Sequence, residues 1–244
     1  MPTIVPTRED EIMQAELALA RTLSLIAPLF TCLSEEEYAQ VLQSGAGECA
    51  RSVARSLARS CDEADSWERA LSASFGWSDR AAFQYSVLSS GMPLAALPVE
   101  SLYKPWSQEP GNGYGASRGL FLGDSARHMQ VVYRSLEIDV PARFAAAPDH
   151  LSLLLDLLAL YVKCENRVAA RDLVADHFDW LESYDGTLSR RAEEAPLLFG
   201  SGAHVHADTL DAVLRGIARV RALLGVTQRL ANEIAARSGQ PALA

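Results

Sequence analysis

Ala147-Pro148-Asp149-His150 runs directly into Leu151-Ser152-Leu153-Leu154-Leu155-Asp156-Leu157-Leu158-Ala159-Leu160-Tyr161-Val162, and this stretch decides how the chain is read. The second part is apolar on nearly every face. A helix of that kind belongs inside a protein or inside a membrane. Bounded by His150 and Lys163, it falls short of the roughly 18 residues that a membrane span needs, so the spacing predicts a buried central helix. Its start carries polar chemistry. Proline suits a first turn, where its missing N–H is not needed. An acid there is favoured by the helix dipole and can accept free backbone N–H groups. Asp149 and His150 therefore read either as a simple helix start or as groups lining a groove.

Outward from that stretch the pattern stays helical. Glu9–Phe30 places Ile12, Leu19, Leu23 and Ile26 at roughly helical spacing. Ser34-Glu35-Glu36-Glu37 reads as an N-cap with an acidic first turn, opening a helix to Gln43 that Gly45-Ala46-Gly47 stops. Glu48–Ser60, Ser66–Phe75 and Ser78–Ser89 follow as helices. Gly91-Met92-Pro93 to Pro98 is a proline-broken connector, and Glu109–Gly119 a long glycine-rich loop. Ser125–Leu136 is again helical. After the central helix come Arg167–Tyr184, a stop at Gly186, a short helix over Leu188–Ala203, and a long amphipathic helix over Asp208–Arg237 with a break near Gly225. No segment alternates like a strand. The expected fold is all-α, a compact bundle of about ten helices. Its expected organisation is an N-terminal half (1–138), a hinge (139–147) and a C-terminal half (148–244).

The totals narrow the function. A net charge of −9 over 244 residues disfavours nucleic acid and permits a basic partner. Cys32, Cys49, Cys61 and Cys164 form no C-x-x-C pair and read as reduced thiols. Glu16 and Arg21 interrupt the apolar run near the N-terminus, so that run reads as an amphipathic helix rather than a signal peptide. A cytoplasmic protein is the expectation. No cofactor is expected. There is no Walker A loop, no di-iron spacing and no nucleophile signature. The glycines of Gly111-Asn112-Gly113-Tyr114-Gly115 lack a flanking strand, and His204-Val205-His206 lacks a carboxylate or cysteine set. These two features carry the competing reading, a helical metal- or nucleotide-dependent enzyme; a regulatory helical binding protein is a third.

The positive case is a groove that holds a peptide. Trp67, Phe75, Trp77, Phe83 and Tyr85 are spaced as core aromatics. Tyr103 and Trp106 instead flank Pro105 in a connector beside the glycine-rich loop. An apolar groove with acids at its rim would receive an amphipathic helix bearing arginines, because guanidinium and carboxylate are both planar and forked.

The order of several motifs is then informative. Glu100-Ser101-Leu102-Tyr103 precedes Gly119-Leu120-Phe121-Leu122-Gly123 and a helix to Leu136. Phe144, Pro148-Asp149-His150 and the apolar helix follow, and then Leu173–Trp180 with His177-Phe178-x-Trp180. From about Ser66 to about Leu224 this order resembles the TorD/DmsD family of cytoplasmic chaperones. The resemblance implies an all-helical protein, not an enzyme. Its partner would be the twin-arginine leader of a molybdopterin oxidoreductase precursor, held in the cytoplasm until the cofactor is loaded. It implies no nucleic acid and no stable membrane insertion, and either a monomer or a dimer that exchanges halves at the 139–147 hinge. Asp149 and His150 match the family's P-D-H pair, implicated in leader binding. Tyr103 matches an aromatic near the same groove, and Gly123 a glycine on its wall. Trp106 and Phe121 join the candidate set by proximity. Lys104–Arg118 is longer than the family's usual segment. The reading requires the start of the apolar helix to open onto a cleft that reaches Tyr103 and Gly123.

Overall fold

The computed structural model describes residues 8–109, 111–199 and 207–238. Among these described residues there are ten α-helices: α1 (Arg8–Ile26), α2 (Glu35–Gln43), α3 (Ala46–Leu57), α4 (Cys61–Ser72), α5 (Trp77–Val87), α6 (Asp124–Ser135), α7 (Leu151–Lys163), α8 (Arg167–His177), α9 (Leu181–Phe199) and α10 (Ala207–Ser238). Single 3-10 turns lie at Ala27–Phe30, Glu100–Leu102 and Ala142–Phe144. Among the described residues there is no strand, only an isolated antiparallel bridge between Val99 and His150. The all-α expectation holds.

Local signals act where the sequence places them. Ser34 caps α2 in a full capping box: its hydroxyl accepts from Glu37 N–H and the Glu37 carboxylate accepts from Ser34 N–H. Gly45, with φ +81°, turns the chain in the left-handed region before α3. The helix then restarts at Ala46 rather than at Glu48, since one positive-φ residue is turn enough.

The apolar stretch forms α7 and buries eight of its residues, with Leu151, Leu154, Leu155 and Leu158 fully enclosed. Each such leucine contributes about 1.5–3 kcal/mol through loss of contact with water. It is not enclosed all round, because Asp156 and Leu160 face solvent. The more central element is α10. It packs on α1, α3, α4, α5, α8 and α9, while α7 lies against α1, α8 and the Ala27–Phe30 turn.

Glycine explains why α10 runs unbroken. A Cβ at Gly225 would lie 2.5 Å from the Trp67 ring, and one at Gly216 would lie 2.3 Å from Phe83. These glycines let aromatic rings from α4 and α5 press onto the α10 backbone, so the expected break at Gly225 is a packing site instead. Gly186 is not a stop either. The break falls at Phe178–Trp180, between α8 and α9, and α9 continues through Gly186 to Phe199. Phe178 and Trp180 are both buried. Residues two apart cannot share one helix face, so the chain leaves helical geometry there, and Trp180 Nε1–H donates to the buried carbonyl of His177 at 2.8 Å. Of the five expected core aromatics, Tyr85 is 65% exposed, since it points away from the α5–α10 contact.

Arg80 of α5 is buried and donates to the carbonyls of Leu29 and Thr31, closing the 3-10 turn onto the bundle. One continuous core includes Leu23, Phe83, Leu154 and Val213, so residues on both sides of 139–147 contribute to it. Segment 139–147 carries buried Phe144, and Arg143 Nη1 donates to Glu37 Oε1 at 2.9 Å. All four cysteines are unpaired thiols. No helix among the described residues is long and apolar enough to cross a membrane.

Candidate functional site

The sequence motifs, far apart in the chain, converge at the start of α7. Val99 is extended beside His150; Leu151 N–H donates to Pro98 O at 2.9 Å and Glu100 N–H to Asp149 O at 3.3 Å. Asp149 Oδ2 accepts from Ser101 N–H at 2.6 Å. Asp149 has no exposed surface, and its Oδ1 has no hydrogen-bond partner. Burial holds its carboxyl pKa above the ordinary carboxylate value, an effect that the Ser101 N–H offsets only in part. The expectation that Asp149 lines a groove is therefore corrected: the carboxylate is spent tying segment 98–101 to α7.

His150 caps α7. Its Nδ1 accepts from Ser152 N–H at 3.1 Å and its ring leans on Phe144 at 4.9 Å. Burial, reinforced by the charge of Arg143, holds its pKa below the ordinary imidazole value. A His with a depressed folded pKa is neutral in the native state while the unfolded chain takes up a proton as pH falls below about 6.5. Stability contributed by this group is thus complete above that pH and declines below it. We expect His150→Asn, whose Oδ1 can accept the same N–H, to keep the cap at pH 7.5. The variant should lose about 1 kcal/mol less than the native chain between pH 7.5 and 5.5. Urea unfolding at both pH values reads this, and an unchanged pH slope refutes it. Burial and His177 depress the His128 pKa as well, so some slope should persist.

Glu100 is the hub of a second network. It is fully buried; Oε2 lies 2.7 Å from His177 Nδ1 and Oε1 lies 2.8 Å from Lys104 Nζ. The Lys104 ammonium also meets Asp179 Oδ1 at 2.6 Å and Asp176 O at 2.6 Å. His177 Nε2 lies 2.8 Å from Nδ1 of exposed His128, with the two rings stacked. An ionised Glu100 accepts from His177 Nδ1–H, and the His177 Nε2–His128 Nδ1 contact shares one proton between the two rings. A line of polar groups thus leads from the surface to a buried carboxylate.

The aromatic candidates form the other side. Tyr103 stacks on Trp180 at 5.3 Å and touches Tyr184, and its hydroxyl donates to Leu97 O at 3.0 Å. Trp106 Nε1–H donates to Phe121 O at 3.0 Å; the Arg127 guanidinium lies 4.5 Å from its ring and Tyr114 meets it edge-on. Gly123 is buried against Trp106: a Cβ there would lie 2.8 Å from Trp106 O. The residue is glycine because backbone approaches backbone, and it forms no wall of an open groove. The loop between Trp106 and Gly119 is folded back by Trp106 N–H to Ser117 O (2.8 Å) and Ser107 N–H to Gly115 O (3.0 Å).

Two clefts flank this assembly. One, of about 570 Å³, lies between Leu97, Tyr103, Phe121 and α9. The other, of about 290 Å³, is lined by Glu100, Lys104, Asp124, His128, Asp176 and His177. The segment Gly119–Asp124 is the ridge between them. It presents Leu120 and Leu122, 37% and 40% exposed, and Leu122 has the left-handed φ of 61° that costs a side-chain-bearing residue energy. Of the six candidates, Tyr103 and Phe121 thus line a cleft, Trp106 props the ridge, and Asp149, His150 and Gly123 lie beneath. Glu100, Lys104, His128 and His177 were missed as site residues. Glu100, His177 and Trp180 stand in the quoted motifs, which was the available signal; His128 lies on an ordinary helix face and had none.

Fold and site together define an all-helical protein whose separate motifs meet at the start of α7. Among the described residues no group of His, Cys, Asp and Glu is arranged to hold a metal ion; His204 and His206 lie outside the described residues. Residues 79–191 match the model of the nitrate reductase delta subunit family. The match covers α5 to the middle of α9 and includes every site residue named above. The match is a likeness to that family over slightly less than half of the chain. No curated protein and no solved structure is matched by the chain.

Proposed function

We propose that this protein is a cytoplasmic chaperone that binds the twin-arginine leader of a molybdoenzyme subunit and holds the precursor until its cofactor is in place. The observation that carries this reading is the convergence of E-S-x-Y, P-D-H and H-F-x-W at the start of α7, beneath an apolar ridge and beside an acidic cleft. The leader's apolar stretch lies on Leu120, Phe121 and Leu122 and sheds water. Its guanidinia turn to the cleft that holds Glu100, Asp124 and Asp176. Asp149 and His150 act from below by fixing segment 98–101 and the start of α7. Ordering a disordered leader offsets part of the contact energy, which suits a chaperone that must release its client. The working form is a monomer, or a dimer exchanging halves at 139–147.

Calorimetry with the leader of the molybdoenzyme encoded nearest this gene tests the reading. The native leader should bind, and a leader with both arginines changed to glutamine should bind at least about tenfold more weakly, a difference of about 1.4 kcal/mol. Leu120→Ser with Leu122→Ser, both at exposed positions, should weaken binding with the helical content intact. Equal heats from the two leaders, or no heat from either, would sink the proposal.

A further inference from the structure

The cleft beside Tyr103 and Phe121 has a charge that a leader bearing two arginines cannot use. Its walls carry three guanidinia: Arg118 from the ridge side, and Arg190 and Arg191 from α9. Among the described residues that line it there is no carboxylate. Composition does not explain this, because the chain has 31 acidic residues against 22 Lys and Arg. Arg191 is partly engaged, with Nη1 on Glu194 Oε2 at 2.5 Å and Nε–H on Ala95 O at 3.2 Å. Arg190 donates only to Thr187 Oγ1, at 2.9 Å, and neither it nor Arg118 forms an ion pair among the described residues. The similar-sized cleft between α4, α9 and α10 is different: its lining mixes Arg69, Arg215 and Arg221 with Glu63, Glu182 and Asp185, and two of the three guanidinia are paired, Arg215 with Asp79 and Arg221 with Asp185.

We infer that this cleft binds a phosphate-bearing small molecule of nucleotide size. Guanidinia facing one space from two walls repel one another, and an anion between them removes that cost. Phosphate presents several oxygens to the forked donors, and Ser90, Ser183 and Thr187 on the same lining add hydroxyl donors. A volume of about 570 Å³ suits a ligand larger than a lone ion. Leu97 and Leu102 supply the apolar surface for the remainder. This goes beyond leader binding, since the two cargoes would occupy clefts of opposite sign on either side of the ridge.

Titration calorimetry of the full chain with ADP and with inorganic pyrophosphate tests it. Both should bind, ADP the more tightly, and both more weakly as salt is raised. Arg118→Gln and Arg190→Gln, at exposed positions, should each lower affinity about tenfold, with circular dichroism and leader affinity unchanged. Arg190→Lys should recover part of the loss, because a point charge replaces the fork. No heat from either ligand at millimolar concentration, or full binding by the doubly substituted chain, overturns the inference. Binding of a glutamate-rich peptide where pyrophosphate gives none overturns it too, and makes the cleft a docking surface for acidic polypeptide. Leader binding can stand or fall without affecting any of these outcomes.

Discussion

Glu100→Ala should destabilise the fold by about 3 kcal/mol in urea unfolding at pH 7.5, because it removes one member of a buried charge network and leaves the others. Glu100 is fully enclosed and faces both His177 and Lys104. Without it the His177 Nδ1–H loses its acceptor inside the protein, and Lys104 keeps only Asp179 and a carbonyl. Lys104 is 21% exposed and can turn partly to water, which places the effect at the low end of the range for such deletions. Glu100→Gln preserves volume and an acceptor oxygen, so it should cost less. The loss should also reach the ridge, since Glu100 begins the 3-10 turn that leads to Tyr103. A stability change below about 1 kcal/mol for the alanine variant would show that the network does not organise this end of the bundle.

Gly216→Ala should also destabilise, although helix propensity alone favours alanine over glycine by about 1 kcal/mol. The added Cβ would stand 2.3 Å from the Phe83 ring, and Phe83 is fully buried with nowhere to retreat. Overpacking of this kind costs more than the propensity gain, and a net loss of about 2 kcal/mol is expected. Adding Phe83→Leu should restore part of it, giving a non-additive pair. Gly186→Ala is the control. Nothing lies within 4 Å of a Cβ there, so the same chemical change in α9 should stabilise by about 0.5–1 kcal/mol. Thermal or urea unfolding of the three variants reads the prediction; stabilisation at both glycines would refute the packing account.

The contrast between those glycines also shows what was legible. Capping at Ser34, the buried run of α7 and the absence of strand alternation are local properties, so the helical class and most element cores follow from the sequence. Where helices stop is decided by partners. Gly186 and Gly225 look alike in sequence, but neither breaks its helix: one faces open space and the other receives Trp67. The same limit applies to the site. Tyr103, Asp149 and His150 were found because their motifs stand out, yet the burial of Asp149 depends on segment 98–101, which is 48 residues away in the chain. Glu100 and His177, 77 residues apart, become a pair only when α8 docks. The opposite charges of the two clefts arise from side chains on separate elements, and no local pattern announces them.

The position of α10 has a consequence for synthesis. A 32-residue helix spans about 48 Å at 1.5 Å per residue, and here it is the spine on which α3, α4, α5, α8 and α9 close. The ribosome delivers it after all of them. Until residues 207–238 have left the exit tunnel, nascent chains should carry Phe83 and Trp67 uncovered, ready to associate wrongly or to attract other folding helpers. Ribosome-bound chains stalled before α10 should therefore be protease-sensitive, and those given a C-terminal extension long enough to bring α10 out of the tunnel resistant.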